Sequence, residues 1–310
     1  METGDFLGFP SLVLKNQYLR LEVLSGGTRL VRLSYRGGSN LFVELPASLN
    51  TAYGDFRFLG GHRLWHSPEA MPRTYLPDIG GAQVEELPDG LRVTRPPETS
   101  SGIIKQIEVR LDAHKPAVTI CHVLRNDGLW PVECAPWALT MMRLGGVEIL
   151  PQPGGLVPPE RNPVGTKPTG QPVGNTDASG LLPNRTLVLW PYTRINDPRL
   201  HLEDDFITLR ADPSLPPFKL GYFNPHGWIA YWLDGVLFVK RYDPHPGATF
   251  PDGGCNTETY CNDQFVELET LGPLGRLEPG KSFVHTETWE FYDSLDQSFI
   301  PPVLRERLSK

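Results

Sequence analysis

Glycine and proline punctuate this chain so densely that long helices are excluded. The 310 residues include 31 glycines and 32 prolines, about a fifth of the chain, against roughly 12% in average proteins. Both residues are unfavourable inside helices, which excludes a helix bundle or a coiled coil. No Gly-X-Y period is present, and 39% hydrophobic with 10% aromatic residues suffice for a core. The composition therefore predicts a large all-β protein of short strands joined by turns.

Charge and hydropathy narrow the classes of partner. Lys and Arg number 29 against 36 Asp and Glu, a net charge of −7 without any basic run, so no nucleic-acid partner is expected. No apolar stretch approaches the roughly 18 residues of a membrane span, and the first ten residues lack a signal-peptide pattern, so no membrane partner is expected. The four cysteines are then expected to be free thiols, in a cytoplasmic monomer or homodimer.

Alternation of apolar and polar residues, broken by turn signals, predicts antiparallel strands along most of the chain. Segment 12–24 is typical, with leucine and valine on one face and charged residues on the other. Further strands are predicted at 29–35, 40–45, 82–86, 91–94, 103–111, 117–124, 187–192, 217–223, 228–242, 264–271 and 282–292. Because turns rather than helices separate them, we predict hairpins and meanders within a single domain spanning residues 1–310.

Two stretches rich in proline, glycine and asparagine interrupt these strands. Residues 151–186 predict a long loop. Loops of this length in compact domains are often lids or binding elements, although a surface insertion is the alternative. Residues 243–263 predict a second loop. Both would flank any cleft that the neighbouring strands build.

The segment 60–69, GGHRLWHSPE, gathers polar and aromatic side chains behind two glycines, which allow a close approach of the backbone. Aromatic faces stack on sugar rings, and Arg, His and Glu side chains hydrogen-bond hydroxyl groups in fixed directions. Arg63, Trp65, His66 and Glu69 are therefore predicted to bind substrate. The alternative is that these side chains only pack and pair with one another.

A metal at this segment is not predicted. His62 and His66 have the spacing of zinc ligands only on a helix, and the glycine pair and Pro68 argue against a helix there.

The strand predicted at 264–271 places Glu267 and Glu269 on one face and apolar residues on the other. If the acidic face lines a cleft, repulsion raises the pKa of one carboxyl group, which can then exchange protons with a hydroxyl. On an outer face, the two glutamates would simply be solvated.

Other polar and aromatic residues are candidates for substrate binding: Trp137, His226, Glu258 and Tyr260. Most large aromatic residues belong to the core that a β protein needs, but one or two can floor a sugar pocket. The aromatic candidates for such a floor are Trp137, Trp190, Tyr222, Trp228 and Trp232.

The order of these segments resembles the galactose mutarotase-like superfamily, which includes aldose 1-epimerases. The resemblance rests on GGHR at 60–63, AVTICHVLRNDGLWPVECAPWAL at 117–139 and FVELETLGPLGRLEPGKSFVHTETW at 265–289, and it covers nearly the whole chain. It implies a single large antiparallel β-supersandwich that binds a small-molecule carbohydrate and needs no cofactor. Within the superfamily, the chain looks closer to poorly characterised bacterial branches than to true galactose mutarotases.

The resemblance also implies residue roles. Glu269 falls at the position of the family's general base, with Glu267 as the alternative if the register slips by two, and Arg63 falls at the position of its sugar-binding arginine. In such an enzyme the base takes the proton of the anomeric hydroxyl while a histidine protonates the ring oxygen, and the ring opens and recloses on the other face. The matching segment 135–139 reads APWAL and has no histidine, so His62 is the predicted substitute.

Because the segment 135–139 has no histidine, other functions stay possible. His66 or His226 would supply the acid only if the fold brings one of them near the sugar. A non-catalytic sugar-binding module is one alternative, and a glycosidase or lyase that uses Glu258 and Glu269 as two carboxylates is another. A structural or protein-binding β domain also stays open, because no nucleophile motif is present.

Overall fold

The structure, a computed structural model, describes residues 2–152 and 184–293 of the chain. Its regular elements there are β strands and one short 3-10 helix, Arg73–Tyr75. None of the helical turns in these ranges is long and apolar enough to cross a bilayer. The loop predicted at 151–186 falls outside the described residues over 153–183.

The strands follow one another with short connections. In chain order they are β1 (Glu2–Phe6), β2 (Phe9–Lys15), β3 (Leu19–Leu24), β4 (Arg29–Tyr35), β5 (Glu44–Thr51), β6 (Gly54–Ser67), β7 (Gln83–Leu87), β8 (Gly90–Thr94), β9 (Ile103–Leu111), β10 (Ala117–Asn126), β11 (Val132–Arg143), β12 (Val147–Pro151), β13 (Val188–Leu189), β14 (Leu200–Leu202), β15 (Phe206–Leu209), β16 (Phe218–Tyr222), β17 (Trp228–Leu233), β18 (Val236–Tyr242), β19 (Thr257–Cys261), β20 (Phe265–Leu271), β21 (Gly275–Leu277) and β22 (Ser282–Asp293).

These strands form two antiparallel sheets. The first sheet has twelve strands, in the order β1-β2-β3-β4-β6-β11-β20-β19-β16-β13, with β5 paired to β6 and β21 paired to β11. The second has ten, in the order β14-β15-β12-β17-β18-β22-β10-β9-β8-β7. The prediction of an all-β fold with large antiparallel sheets is therefore confirmed.

The main hydrophobic core lies between the two sheets and takes side chains from both. Leu64 and Leu268 of the first sheet belong to the same buried cluster as Ile107, Phe238 and Trp289 of the second. Because side chains alternate along a strand, the residues between these core positions point to the outer face of the first sheet. That outer face carries the candidate site.

Several predicted strands need correction. Segment 12–24 is two strands, β2 and β3, because the Asn16 side-chain oxygen accepts hydrogen bonds from the backbone N–H groups of Tyr18 and Leu19 and closes a turn. The predicted loop at 243–263 contains strand β19. Asparagines on both sides give this strand the composition of a loop, although its threonines favour a strand. The strand predicted at 187–192 is paired only in β13.

The pair Gly60 and Gly61 lets β6 change its neighbour. Up to Gly60 the strand pairs with β5, and from His62 it pairs with β4, while β11 lies on its other edge. Both glycines have positive φ, at 78° and 70°. A Cβ atom at Gly61 would lie 2.0 Å from the Leu30 carbonyl oxygen. The close backbone approach predicted for this pair is therefore confirmed.

The cysteines behave as predicted. Cys121, Cys134, Cys255 and Cys261 are all free thiols, and only Cys121 is partly exposed.

Candidate functional site

A cavity of about 650 Å³ lies on the outer face of the first sheet, above strands β6, β11, β20, β19 and β16. The strand register fixes its floor. One row across the sheet pairs Arg63 with Leu139, Leu139 with Glu269, and Glu269 with Glu258. The next row carries Glu267, so the two predicted glutamates share one face of β20.

Eight of the eighteen described residues that line the cavity are aromatic, and six carry charged or amide side chains. Its lining residues are Leu45, Ala47, Phe58, Arg63, Trp65, Glu69, Tyr75, Trp137, Leu139, Trp190, Tyr192, Pro217, Lys219, Tyr260, Asn262, Gln264, Phe265 and Glu267. This combination is typical of small-molecule sites, in which apolar walls exclude water and a small number of polar groups fix the ligand's orientation.

Arg63 and Glu267 form a buried ion pair at this floor. Arg63 Nη2 donates to Glu267 Oε1 at 3.0 Å, and the guanidinium lies 4.5 Å from the Trp65 ring centroid. Arg63 is 1% exposed, and within the described residues its Nε and Nη1 groups have no hydrogen-bond partner. Both N–H groups are themselves buried, and buried donors without a hydrogen-bond partner are costly.

Burial and the neighbouring charge of Glu269 raise the pKa of Glu267 to about 7, although the cations Arg63 and Lys219 act in the opposite direction. A carboxyl group with this pKa is partly protonated and partly ionised near neutrality. It can therefore both accept and return a proton.

A second cation, Lys219 of β16, lies between two glutamates. Its Nζ donates to Glu269 Oε2 at 2.9 Å and lies 2.8 Å from Glu258 Oε2. The same nitrogen is 4.7 Å and 4.8 Å from the ring centroids of Trp137 and Trp190, within cation–π range. Burial opposes the charge on Lys219, but Glu258 and Glu269 raise its pKa well above the ordinary value.

Glu269 is fully buried beneath this cation. Its Oε2 atom also accepts a hydrogen bond from Trp137 Nε1 at 2.7 Å. Glu269 therefore holds Lys219 and Trp137 in place and does not itself line the cavity. Burial raises the pKa of Glu258 well above its usual value, and the attraction of Lys219 offsets only part of that effect.

The loop after β6 supplies one wall. Tyr75 donates its hydroxyl hydrogen to Glu69 and packs its ring 5.2 Å from that of Trp65. Farther along this loop, Asp78 accepts two hydrogen bonds from Arg29 of β4, from Nε at 2.8 Å and from Nη2 at 2.9 Å. Arg29 is fully buried, so this ion pair anchors the wall to the sheet.

The opposite face of the same strands carries a buried polar layer between the two sheets. Lys240 Nζ donates to Thr140 Oγ1 at 3.0 Å, so the Thr140 hydroxyl is free to donate to His62 Nδ1 at 2.9 Å. His62 Nε2 then donates to His122 Nε2 at 2.7 Å, and His122 Nδ1 donates to the backbone oxygen of His285 at 2.9 Å. The partners thus assign one neutral tautomer to His62 and one to His122.

Glu287 completes this layer. It accepts hydrogen bonds from Lys240 Nζ and Trp289 Nε1, at 2.9 and 2.8 Å, and from the Thr270 hydroxyl. Thr270 in turn accepts from His285 Nε2 at 2.7 Å. Burial alone would raise the pKa of Glu287, but Lys240 and the histidines hold it well below the usual range.

His62, His122 and Glu287 bring potential metal-ligating atoms within 4.8 Å of one another. The hydrogen bonds account for these atoms without a metal. The Nε2 atoms of His62 and His122 share one proton, and the ammonium of Lys240 already occupies the carboxylate of Glu287. A divalent ion would also face that ammonium, so the cluster does not fit a metal site.

Comparisons with known proteins place this geometry in a structural context. No protein-family model and no curated protein matches the chain. Among solved structures, a protein of Escherichia coli K12 described as a putative aldose 1-epimerase has 12% identity and a TM-score of 0.55, over 92% of this chain and 99% of that one. A galactose mutarotase-like protein from Lactobacillus casei has 8% identity and a TM-score of 0.52, over 91% of this chain and 100% of that one.

The chain has the galactose mutarotase-like fold. A TPR-domain containing protein from Parabacteroides distasonis matches with 14% identity and a TM-score of 0.60, over 93% of this chain but only 48% of its own length. At these identities the likeness concerns the fold and not the activity. The resemblance inferred from the order of the sequence segments is confirmed at that level.

Within this galactose mutarotase-like fold, six of the eleven predicted site residues line the cavity. They are Arg63, Trp65, Glu69, Trp137, Tyr260 and Glu267. Glu258 and Glu269 lie directly behind it and clamp Lys219.

The three predicted histidines lie elsewhere. His62 points into the inter-sheet layer, because it alternates with Arg63 along β6. His66 lies on that same inner side, 3.0 Å from Glu98 Oε2. His226 is exposed in the turn before β17, with its Nε2 bonded to the Gln152 carbonyl oxygen at 3.0 Å.

Sequence reasoning missed Lys219, Tyr75 and Tyr192, which line the cavity. For Lys219 a signal existed, since it is the one charged residue in the aromatic segment 217–223. A single charge in an otherwise buried strand needs partners. Tyr75 ends a single turn of 3-10 helix and Tyr192 lies in an irregular segment, and neither is long enough to show a periodicity that indicates the direction of a side chain.

Proposed function

We propose that the chain binds an aldose in this cavity and interconverts its anomers, as an aldose 1-epimerase does, with Glu267 as the general base. The observation that carries the proposal is the pair formed by Glu267 and Arg63 on an aromatic-walled floor. The carboxyl group has a pKa near neutrality, and two N–H groups of the guanidinium have no hydrogen-bond partner among residues 2–152 and 184–293.

The walls support a sugar as the ligand. Trp65, Trp137 and Trp190 line the cavity, and indole rings can stack on the C–H faces of a pyranose ring. Asn262 and Gln264 add amide groups at the rim, which can donate to and accept from hydroxyl groups.

The proposed mechanism uses the Arg63–Glu267 pair as a unit. Ionised Glu267 accepts the proton of the anomeric hydroxyl as the C1–O1 bond becomes a carbonyl, the C1–O5 bond breaks and its electron pair moves onto O5, which opens the ring. Once Glu267 is neutral, the charge of Arg63 is no longer compensated, and the guanidinium can stabilise negative charge on the sugar. Rotation about the C1–C2 bond and the reverse proton transfer then close the ring on the other face.

Glu269, which the family resemblance proposes as the base, is assigned a different part. Its carboxylate is occupied by Lys219 and Trp137, so we propose that Glu269 positions those two groups while Glu267 exchanges the proton. A glycosidase that uses Glu258 and Glu269 is less well supported, because both carboxyl groups contact the same lysine rather than flank open space. Sugar binding without catalysis is the second candidate. The cytoplasmic location and the monomeric or dimeric state stay predictions.

The test is the rate at which fresh α-anomers of D-glucose, D-galactose, D-mannose and D-xylose equilibrate, measured by polarimetry and one-dimensional NMR. We expect catalysis above the buffer rate with at least one sugar and a loss of about 10²–10⁴-fold in E267Q. The matched control E86Q changes an exposed glutamate of β7 and should keep the wild-type rate.

Two results would contradict the proposal at different levels. If the wild-type protein does not catalyse the reaction but is stabilised against heat by a sugar, epimerase activity is rejected and sugar binding without catalysis becomes the supported function. Absence of both effects across the panel would reject carbohydrate as the ligand class.

A further inference from the structure

The proposed reaction needs an acid as well as a base. When the C1–O5 bond breaks, its electron pair stays on O5, which must gain a proton for the open-chain hydroxyaldehyde to form. No histidine lines the cavity in the described part of the chain. The role that a histidine plays in the related fold family must therefore be filled by another group.

We propose that Lys219 is the general acid that protonates the ring oxygen. This inference rests on the proposed function and assigns the residue which that function leaves open. Lys219 lines the cavity, on the same side of the sheet as Glu267, and its ammonium takes no part in the Arg63–Glu267 pair.

The other candidate donors in the wall are less suitable. Arg63 does not release its proton in proteins. Tyr192 is 46% exposed, and the Tyr260 hydroxyl is hydrogen-bonded to the Asn262 side chain. Tyr75 already donates its hydroxyl hydrogen to Glu69.

The surroundings of Lys219 keep it charged and fixed between turnovers. The residue is 4% exposed, its ammonium lies near the Trp137 and Trp190 rings, and it donates to both oxygens of Glu269, at 2.9 and 3.2 Å. Glu258 contributes a second carboxyl group at 2.8 Å. Since an alkoxide is a far stronger base than an amine, a lysine whose charge is stabilised this strongly can still protonate O5.

The step balances without any further reactant. The O1–H proton passes to Glu267, the O1–H electron pair becomes the second bond of the carbonyl, the C1–O5 pair moves onto O5, and O5 takes a proton from the Lys219 ammonium. Neutral Lys219 and neutral Glu267 then face the open-chain sugar. After rotation about C1–C2, Lys219 removes the proton from O5 as O5 attacks C1, and Glu267 returns its proton to O1.

The experiment compares ring oxygen with ring sulfur. The substrates are the aldose of the panel that the wild type converts fastest and its 5-thio analogue, whose ring opens to a thiol. A thiol has a pKa of about 8.5 and leaves as a thiolate without an acid. We expect K219M and K219R to lower kcat for the oxygen sugar by about 10²–10³-fold and for the thio sugar by less than about tenfold.

Three further measurements distinguish the loss of a general acid from a structural effect of replacing Lys219. K219R retains the positive charge beside Glu258 and Glu269, so its thermal unfolding should stay close to that of the wild type. K15M removes an exposed lysine of β2 and should change neither rate. KM for the oxygen sugar should change much less than kcat, because the acid acts mainly in the transition state.

The outcomes divide clearly. Equal losses on both sugars, or rates within about threefold of the wild type, would overturn the role of Lys219 and leave the proposed function standing. A wild type that catalyses neither sugar would overturn the proposed function itself.

Discussion

At the scale of single residues, the first sheet shows how one strand assigns opposite chemistry to adjacent side chains. Glu267 faces a cavity and has a pKa near neutrality, whereas its neighbour Leu268 belongs to the hydrophobic core. Likewise, Arg63 faces the cavity, and adjacent His62 is held as a neutral base between the sheets. The two-residue period of a strand separates these environments over a single peptide bond.

The raised pKa of Glu267 predicts a pH-dependent cost to folding. The folded-state pKa of about 7 exceeds the ordinary 4.5, so the folded state binds this proton more tightly and loses that advantage as pH rises between the two values. Burial, Glu269, Arg63 and Lys219 together set this pKa. In E267Q the effect is absent, and the free energy of unfolding relative to the wild type should rise by up to about 3 kcal/mol from pH 4.5 to 7.

Urea unfolding of both proteins at several pH values measures this difference. The contact with Arg63 that is lost in E267Q changes the free energy of unfolding by the same amount at every pH. It therefore does not affect the pH dependence of the difference between the two proteins. The control E86Q should give a flat difference across the range, and an equally flat line for E267Q would show that Glu267 is ionised like an exposed carboxylate.

At the scale of elements, β6 depends on its glycine pair. Alanine at Gly61 would combine a positive φ with a Cβ atom 2.0 Å from the Leu30 carbonyl oxygen, whereas alanine at Gly8 has a positive φ but nothing within 4 Å. We expect G8A to lower the free energy of unfolding by about 1–2 kcal/mol. G61A should lower it by at least about 4 kcal/mol, because backbone must move as well.

Chemical denaturation of the two variants isolates the overlap, since the backbone conformation costs a similar amount in both. G61A should also lose sugar binding, because Arg63 and Trp65 follow this glycine on β6. Similar stability losses in G61A and G8A would show that β6 accommodates the extra methyl group.

The limits of prediction from sequence are also clearest at the scale of elements. The faces of β20 followed from alternation alone, and the glycines at 60–61 indicated a close approach that the structure confirms. Strand β19 was missed because turn-forming residues flank it, and its pairing with β20 is what places Glu258 beside Glu269. The local sequence pattern predicts which face of the sheet a residue lies on but not which residue lies next to it on the neighbouring strand. The contacts of Glu258 and Glu269 with Lys219 could therefore not be predicted.

At the scale of the whole molecule, the two sheets are joined through a polar layer as well as through apolar side chains. Lys240 of β18 donates to Thr140 on β11 and to the Leu268 carbonyl on β20. The second sheet thus holds the two strands that carry the cavity floor. No sequence pattern indicated this layer, because its histidines and Glu287 are up to 225 positions apart and each resembles an isolated polar residue in a strand.

Three buried neutral histidines predict lability to acid. Burial lowers the pKa of His62 and His122, and it lowers that of His285 to about 3. Since these values lie below the ordinary 6.5, the unfolded state binds the protons more readily, and stability present above pH 6.5 is lost as pH falls toward 3. Replacing His285 with glutamine should reduce the slope by up to one proton, about 1.4 kcal/mol per pH unit.

The slope of unfolding free energy against pH, from urea titrations between pH 4 and 6.5, tests this expectation. H114Q, which changes an exposed histidine, should keep the wild-type slope. An unchanged slope in H285Q would mean that His285 is not held neutral by its burial.

The hydrogen shared by His62 and His122 has a consequence for observing the protein in solution. It lies between two nitrogens 2.7 Å apart, in side chains that solvent does not reach. Its exchange with deuterium therefore requires the sheets to separate, at least locally. The rate at which this single imidazole N–H resonance disappears from a proton spectrum in deuterium oxide would then report the rate at which the two sheets open, without any label and independently of activity.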